Sequence, residues 1–170
     1  MDRRSLILIV SLAAPTVGSA APTSASPVAH YRHERGWDLN DQKVTPGMAL
    51  KMTRAQVCVK GYSAHVRNVS EETKGRVFAE YGITRHVAYQ YEIDHLISLE
   101  LGGSNSIKNL WPEPNDHART NTKDGLENHL HKLVCDGSLS LATAQHVIAS
   151  DWVKAYARYY YKTLPAGHNY

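Results

Sequence analysis

The pattern of apolar and polar positions changes period several times along the chain, and each change marks an element. Residues 6–14 form an apolar run behind Arg3 and Arg4, followed by small residues through Ala21. That order predicts a secretory signal peptide over residues 1–20, with cleavage after Ala20 or Ala21. The run is well short of the roughly 20 apolar residues a membrane-spanning helix needs. Residues 21–44 begin Ala-Pro-Thr-Ser-Ala-Ser-Pro and hold no sustained period, which predicts a flexible leader and places the folded domain at residues 45–170. Thr45-Pro46-Gly47 is a turn, and residues 52–59 suit a short helix or strand. Ser70 before Glu71 and Glu72 predicts a capped helix running to Tyr81 and stopped by Gly82, with Val77, Phe78 and Tyr81 as its apolar stripe.

Residues 89–97 are rich in aromatic and β-branched side chains and predict a strand. Residues 101–105, Leu-Gly-Gly-Ser-Asn, form a turn. Asn109-Leu110-Trp111 opens a second strand, expected to end at Pro112 and Pro114. From residue 116 to 135 the spacing of Leu126, Leu130, Leu133 and Val134 is helical, with Gly137 as the stop. Ser140 caps a helix over 141–149, and Asp151 starts a last amphipathic segment through Trp152, Val153, Tyr156 and Tyr160. Trp111 and Trp152 are expected in the core. The centre reads strand, turn, strand, helix with helices on either side, an α+β protein.

Composition narrows this picture. Removing the leader peptide leaves about 150 residues, the size of one domain. It also removes Arg3, Arg4 and Asp2, taking nineteen basic and sixteen acidic residues to seventeen and fifteen, a net +2. So weak a bias does not by itself point to nucleic acid, whose non-specific binders usually rely on many Lys and Arg contacts to phosphate. The ten histidines add charge only at acidic pH. Cys58 and Cys135 stand 77 positions apart in a chain routed to an oxidising compartment, which predicts one disulfide between them. With no Cys-x-x-Cys pair, a cysteine-based zinc site is disfavoured.

The chemistry concentrates in Glu92-Ile93-Asp94-His95-Leu96-Ile97-Ser98-Leu99-Glu100-Leu101-Gly102-Gly103, then Asn109-Leu110-Trp111-Pro112, then a helix bearing Asn121 and Lys123. An adjacent carboxylate and imidazole at a strand end, 14 positions before an asparagine and followed by a helix with a further His or Asn, resembles the HNH endonuclease motif in its ββα-metal form. The likeness to small secreted bacterial HNH proteins extends over about residues 45–161. It includes Val57-Cys58-Val59-Lys60-Gly61-Tyr62-Ser63 with Val66-Arg67, Glu80-Tyr81-Gly82-Ile83, Lys123-Asp124-x-Leu126-Glu127-Asn128, and Ala144-Gln145 to Asp151-Trp152.

The resemblance implies a secreted phosphodiesterase acting on nucleic acid, DNA foremost and RNA also open. His95 is its general base, suited by an imidazole pKa near neutrality. Asp94 offers a hard oxygen to Mg²⁺ or Mn²⁺. A regular strand would send these two side chains to opposite faces, so a bend or bulge is expected there. Asn109 is implied as the central residue that holds the loop and orients His95. For the second metal ligand two residues remain open. Asn121 matches by its place two before Lys123-Asp124, and His117 fits the generic spacing, one helical turn earlier. Arg119 and Lys123 are expected at phosphate. Glu92 and Glu100 are structural first, within reach of metal-bound water. Two rival readings are a nucleic-acid-binding protein on the same scaffold without useful activity, and a secreted hydrolase with zinc on several histidines.

Overall fold

The computed structural model describes residues 31–115 and 121–161, the side chain of Asn121 excepted. The predicted signal peptide, His117 and Arg119 lie outside the described residues.

The chain enters with a hairpin, strands β1 (Arg32–Glu34) and β2 (Trp37–Leu39), paired antiparallel. Arg35 and Gly36 turn it with φ of 53° and 77°, the backbone twist that two-residue hairpin turns favour. Leu39 is buried in the main core, and the Trp37 ring meets Trp152 edge-on at 5.3 Å. Arg32 donates to the carbonyls of Asn40 and Ser150. The expectation of a loose leader through residue 44 is therefore corrected: residues 31–44 are part of the folded body. Three-residue strands are too short to show a period, which is why the pattern missed them.

Helix α1 (Arg54–Val57) starts at a capping box in which Thr53 and Gln56 satisfy each other's backbone N–H, and α2 (Tyr62–Val66) follows Gly61. Helix α3 (Glu71–Glu80) is capped by Ser70 and stopped at Gly82, whose φ is 66°. Strand β3 (Tyr91–His95) pairs antiparallel with β4 (Leu110–Pro114). β4 ends at Pro114, as expected, and Pro112 lies inside it. With β3 on one side only, β4 tolerates the missing amide protons along its outer edge, where Tyr31 donates its hydroxyl to the Pro112 carbonyl at 2.5 Å.

After β4 comes α4 (Asn121–Cys135), then α5 (Leu141–Ala155), capped by Ser140. Asp151 breaks α5 with extended φ and ψ of −168° and 93°, and its carboxylate caps the Lys154 N–H at 2.9 Å. The segment starting at Asp151 is thus a second helix joined to the first at a kink, ending in the π-helical turn Tyr156–Tyr160.

One apolar cluster joins Leu126, Leu130 and Val134 of α4 to Ile148, Trp152 and Val153 of α5, with Leu39, Val57 and Leu101 closing it. A second, smaller cluster sets Trp111 and Leu96 against Tyr81. Cys58, at the end of α1, is bonded to Cys135, at the end of α4. Helices and two small antiparallel sheets make this an α+β fold. Among the described residues no helix is long and apolar enough to cross a membrane.

Candidate active site

The loop joining β3 to β4 closes on one side chain. Asn109, fully buried, accepts from the Ile97 N–H at 2.9 Å and the Met48 N–H at 3.3 Å, and donates to the carbonyls of Ile97 and Ser104 at 3.0 and 2.9 Å. Four backbone groups that a tight loop would otherwise strand are thereby satisfied. Gly103 completes the closure, since a Cβ there would collide with the Ile97 carbonyl and lie 2.9 Å from the Asn109 amide nitrogen. The strand end entering this loop is fixed in place.

That end carries Asp94 and His95. The ladder is regular through both, Asp94 facing Trp111 and His95 facing Leu110, so no bulge separates them, and the chain bends directly after the strand at Leu96 and Ile97. The two residues nonetheless line one cleft of about 240 Å³, with Arg67, Glu92, Asp124 and Glu127 among the others around it. The cleft forms where β3 ends between α2 and α4.

Lys123 reaches this strand end from the first turn of α4. Only 2% exposed, its ammonium lies 2.5 Å from Asp94 Oδ2 and 3.0 Å from the His95 carbonyl, and it pairs with Glu127 one helical turn on. Burial opposes its charge, but Asp94, Glu127 and Glu113 hold the proton on firmly and raise its pKa. The expected phosphate contact at Lys123 is corrected on this point: the ammonium is enclosed by carboxylates and a carbonyl.

Asp94 answers to the same balance. Burial pushes its pKa up, and the charge and hydrogen bond of Lys123, a hydrogen bond from Glu113 and the neighbouring His95 bring it below the ordinary carboxylate value. Glu113, two positions along from Asp94's partner Trp111 on β4 and opposite Glu92, is driven well above its ordinary value by burial and then by repulsion from Asp94. Glu92 and Asp124 are also raised, first by burial and then by repulsion from Asp94. Glu127 is raised by burial to about 7. The cleft is short of positive charge.

His95, 2% exposed, has a pKa below its ordinary value, chiefly through burial; hydrogen bonding to Asn105 and the charge of Asp94 oppose the shift only in part. The imidazole is neutral at pH 7. Its Nε2 lies 2.9 Å from Asn105 Oδ1, and its Nδ1 is buried with no hydrogen-bond partner.

The donor types are those a hard divalent cation takes, although the ligand oxygens of Asp94, Glu92 and Asp124 are not gathered within 4.8 Å of one another and Asp94 Oδ2 is held by Lys123. Asp94 is ionised, and Glu92 and Asp124 are carboxylates whose charged forms a nearby cation would favour. Oxygen donors of this kind, with water completing the shell, are what Mg²⁺ and Mn²⁺ take. The most compact donor grouping among the described residues is elsewhere: Cys58, His131 and Cys135 have ligand atoms within 4.8 Å of one another. There the two sulfurs are bonded to each other, and metal ligation needs thiolates. The described residues contain no comparable grouping of histidines, as a histidine-based zinc site would need.

Four residues of the site were given no role by the sequence, although Arg67 and Glu127 stand in the motifs that carry the resemblance. Asn105 read as a turn residue, and Glu113 sat between the two prolines expected to end the strand. Arg67, in α2's last turn region, had no spacing to link it to Asp94. Glu127 carried a readable signal, the Lys-to-Glu spacing of four along a helix. No family model matches this chain, and neither curated proteins nor solved structures yield a match.

Proposed function

We propose that this protein is a secreted, metal-dependent phosphodiesterase of the HNH type that cleaves nucleic acid, DNA foremost, with β3, β4 and α4 as its ββα catalytic core. The observation that supports this best is His95: a neutral imidazole with one nitrogen engaged and the other bare, beside an ionised carboxylate. In-line hydrolysis needs a group that takes a proton from water as the water oxygen bonds to phosphorus and the bond to the leaving oxygen breaks. His95 Nδ1, buried where the residue lines the cleft, takes that proton once an opening of the site brings water to it, and the lowered pKa keeps it available at neutral pH.

Arg67 is the exposed cation at the cleft and binds the phosphate, where a guanidinium can grip two oxygens. Lys123 keeps Asp94 ionised and fixed. Asp94, with Glu92 and Asp124, would hold Mg²⁺ or Mn²⁺, and the ion when bound neutralises charge on the phosphate oxygens and leaving group. The need for such an ion follows from the cleft itself, because its carboxylates would otherwise repel a phosphodiester. Asn121 and His117 remain the alternatives for a further ligand. The apolar leader and the disulfide both suit export.

A second reading, a nucleic-acid-binding protein without activity, draws on the engagement of Asp94 by Lys123. Supercoiled plasmid incubated with the disulfide-intact mature protein and Mg²⁺ or Mn²⁺ decides between them. The expected result is nicking that EDTA stops and added metal restores, with His95→Ala slower by roughly 10² to 10⁴. Cleavage that survives exhaustive chelation, or full activity in His95→Ala, overturns the proposal. Plasmid binding without cleavage selects the second reading.

A further inference from the structure

An imidazole serves as a base only through the nitrogen that lacks a proton, so a catalytic histidine needs something to decide which nitrogen that is. Here the decision can be traced through one amide. Asn105 donates its Nδ2 to the Val66 carbonyl at 2.9 Å, and its Oδ1 lies 2.9 Å from His95 Nε2. A carbonyl oxygen accepts and never donates, so the amide nitrogen must face Val66. The amide oxygen is then the atom that faces the imidazole. An oxygen acceptor requires a proton on Nε2, which leaves Nδ1 bare, buried and unpartnered.

We propose that Asn105 is the positioning residue that holds His95 in its Nε2–H tautomer and so makes Nδ1 the proton acceptor. This rests on the reading of His95 as the base. The resemblance implied that Asn109 holds the loop through backbone hydrogen bonds, and its four hydrogen bonds do all go to backbone groups, with none to the ring. The two asparagines divide the work. Asn109 closes the loop, and through the Ser104 carbonyl it fixes the residue preceding Asn105. Asn105 then spans from that loop to Val66, the residue before Arg67, so one amide ties the base to the segment that carries the phosphate-binding arginine.

The test combines a spectroscopic readout with kinetics. In ¹⁵N-labelled wild-type protein at pH 7.5, the His95 ring nitrogens should show a protonated Nε2 and an unprotonated Nδ1, and the Nε2 proton should exchange slowly with solvent. Asn105→Ala should lose the slow exchange and lower kcat roughly 10- to 100-fold, the usual cost of removing the partner that orients a catalytic group, with KM for plasmid little changed. Asn105→Asp keeps an acceptor for the Nε2 proton and should recover most of the lost kcat. A protonated Nδ1 in the wild type overturns the proposal whatever the variants do, as does Asn105→Ala with unchanged kcat or Asn105→Asp no better than Asn105→Ala. Thermal melts establish that each variant is folded. Because the tautomer is read without activity, this failure is distinct from that of the base assignment, which an active His95→Ala alone would reveal.

Discussion

The ammonium of Lys123 sits 2.5 Å from Oδ2 of Asp94, almost wholly out of solvent. A cation so placed stabilises the carboxylate beside it and the fold around it together. Removing one partner of a buried ion pair leaves the other uncompensated, at a cost of roughly 3–5 kcal/mol. Lys123→Met should therefore lower stability by about that amount in urea denaturation at pH 7. A loss under about 1 kcal/mol would show that Asp94 and Glu127 do not depend on this lysine.

Glu127 links stability to pH. Burial, ahead of the opposing attraction of Lys123, raises its pKa to about 7 in the folded protein, against roughly 4.3 when unfolded. Between those values the folded state binds more protons than the unfolded one, so this group's contribution to stability falls as pH rises and levels off above about 7. His95, with its lowered pKa, acts in the opposite sense below pH 6.5. Comparison with Glu127→Gln isolates the carboxylate: wild type should lose on the order of 1–3 kcal/mol relative to the variant between pH 4.5 and 7.5. Parallel curves for the two proteins would rule the shift out.

Arg67 offers a binding test that leaves the buried network alone. It is exposed at the cleft rim, and its charge is felt by Glu92, His95 and Asp124. Arg67→Ala should raise KM roughly tenfold, in line with the loss of a hydrogen bond to a charged group. It should also reduce the salt slope of binding by about one counterion. An unchanged slope would place the phosphate elsewhere.

The bond between Cys58 and Cys135 closes a loop of sequence separation 77. In the chain-entropy model such a loop is worth about 4 kcal/mol, and a difference of that size moves the melting temperature of a domain this long by roughly 10 °C. Cys58→Ser/Cys135→Ser should melt lower by about that margin while cutting plasmid at room temperature. A melt unchanged within a degree or two would mean that helix packing alone holds α1 to α4.

Much of the fold was legible in the sequence because its signals are local. Ser70, Ser140 and Asp151 each cap a helix where the pattern placed them, and Leu126, Leu130 and Val134 bury the face their spacing predicted. The N-terminal hairpin was not legible, since Trp37 packs against Trp152 more than a hundred residues away, and period carries no such information. The site divides in the same way. Asp94, His95 and Asn109 lie close together in sequence and stood out. Asn105 meets Val66 across 39 positions, and the pKa of Glu113 rises because packing buries it and strand register brings it near Asp94. Lys123 was visible as a charge, but only packing decides whether a charge faces solvent or a buried carboxylate.

Every residue assigned here to the cleft, from Arg67 through His95 and Asn105 to Glu127, falls between Cys58 and Cys135 in the chain. A single peptide-bond cut anywhere in that stretch leaves both fragments joined through sulfur, so the nicked molecule keeps its mass apart from one added water until a reductant separates the pieces. Topologically the part of the chain that carries the cleft is a closed ring, and its ends remain tethered after backbone damage that would release part of an open chain.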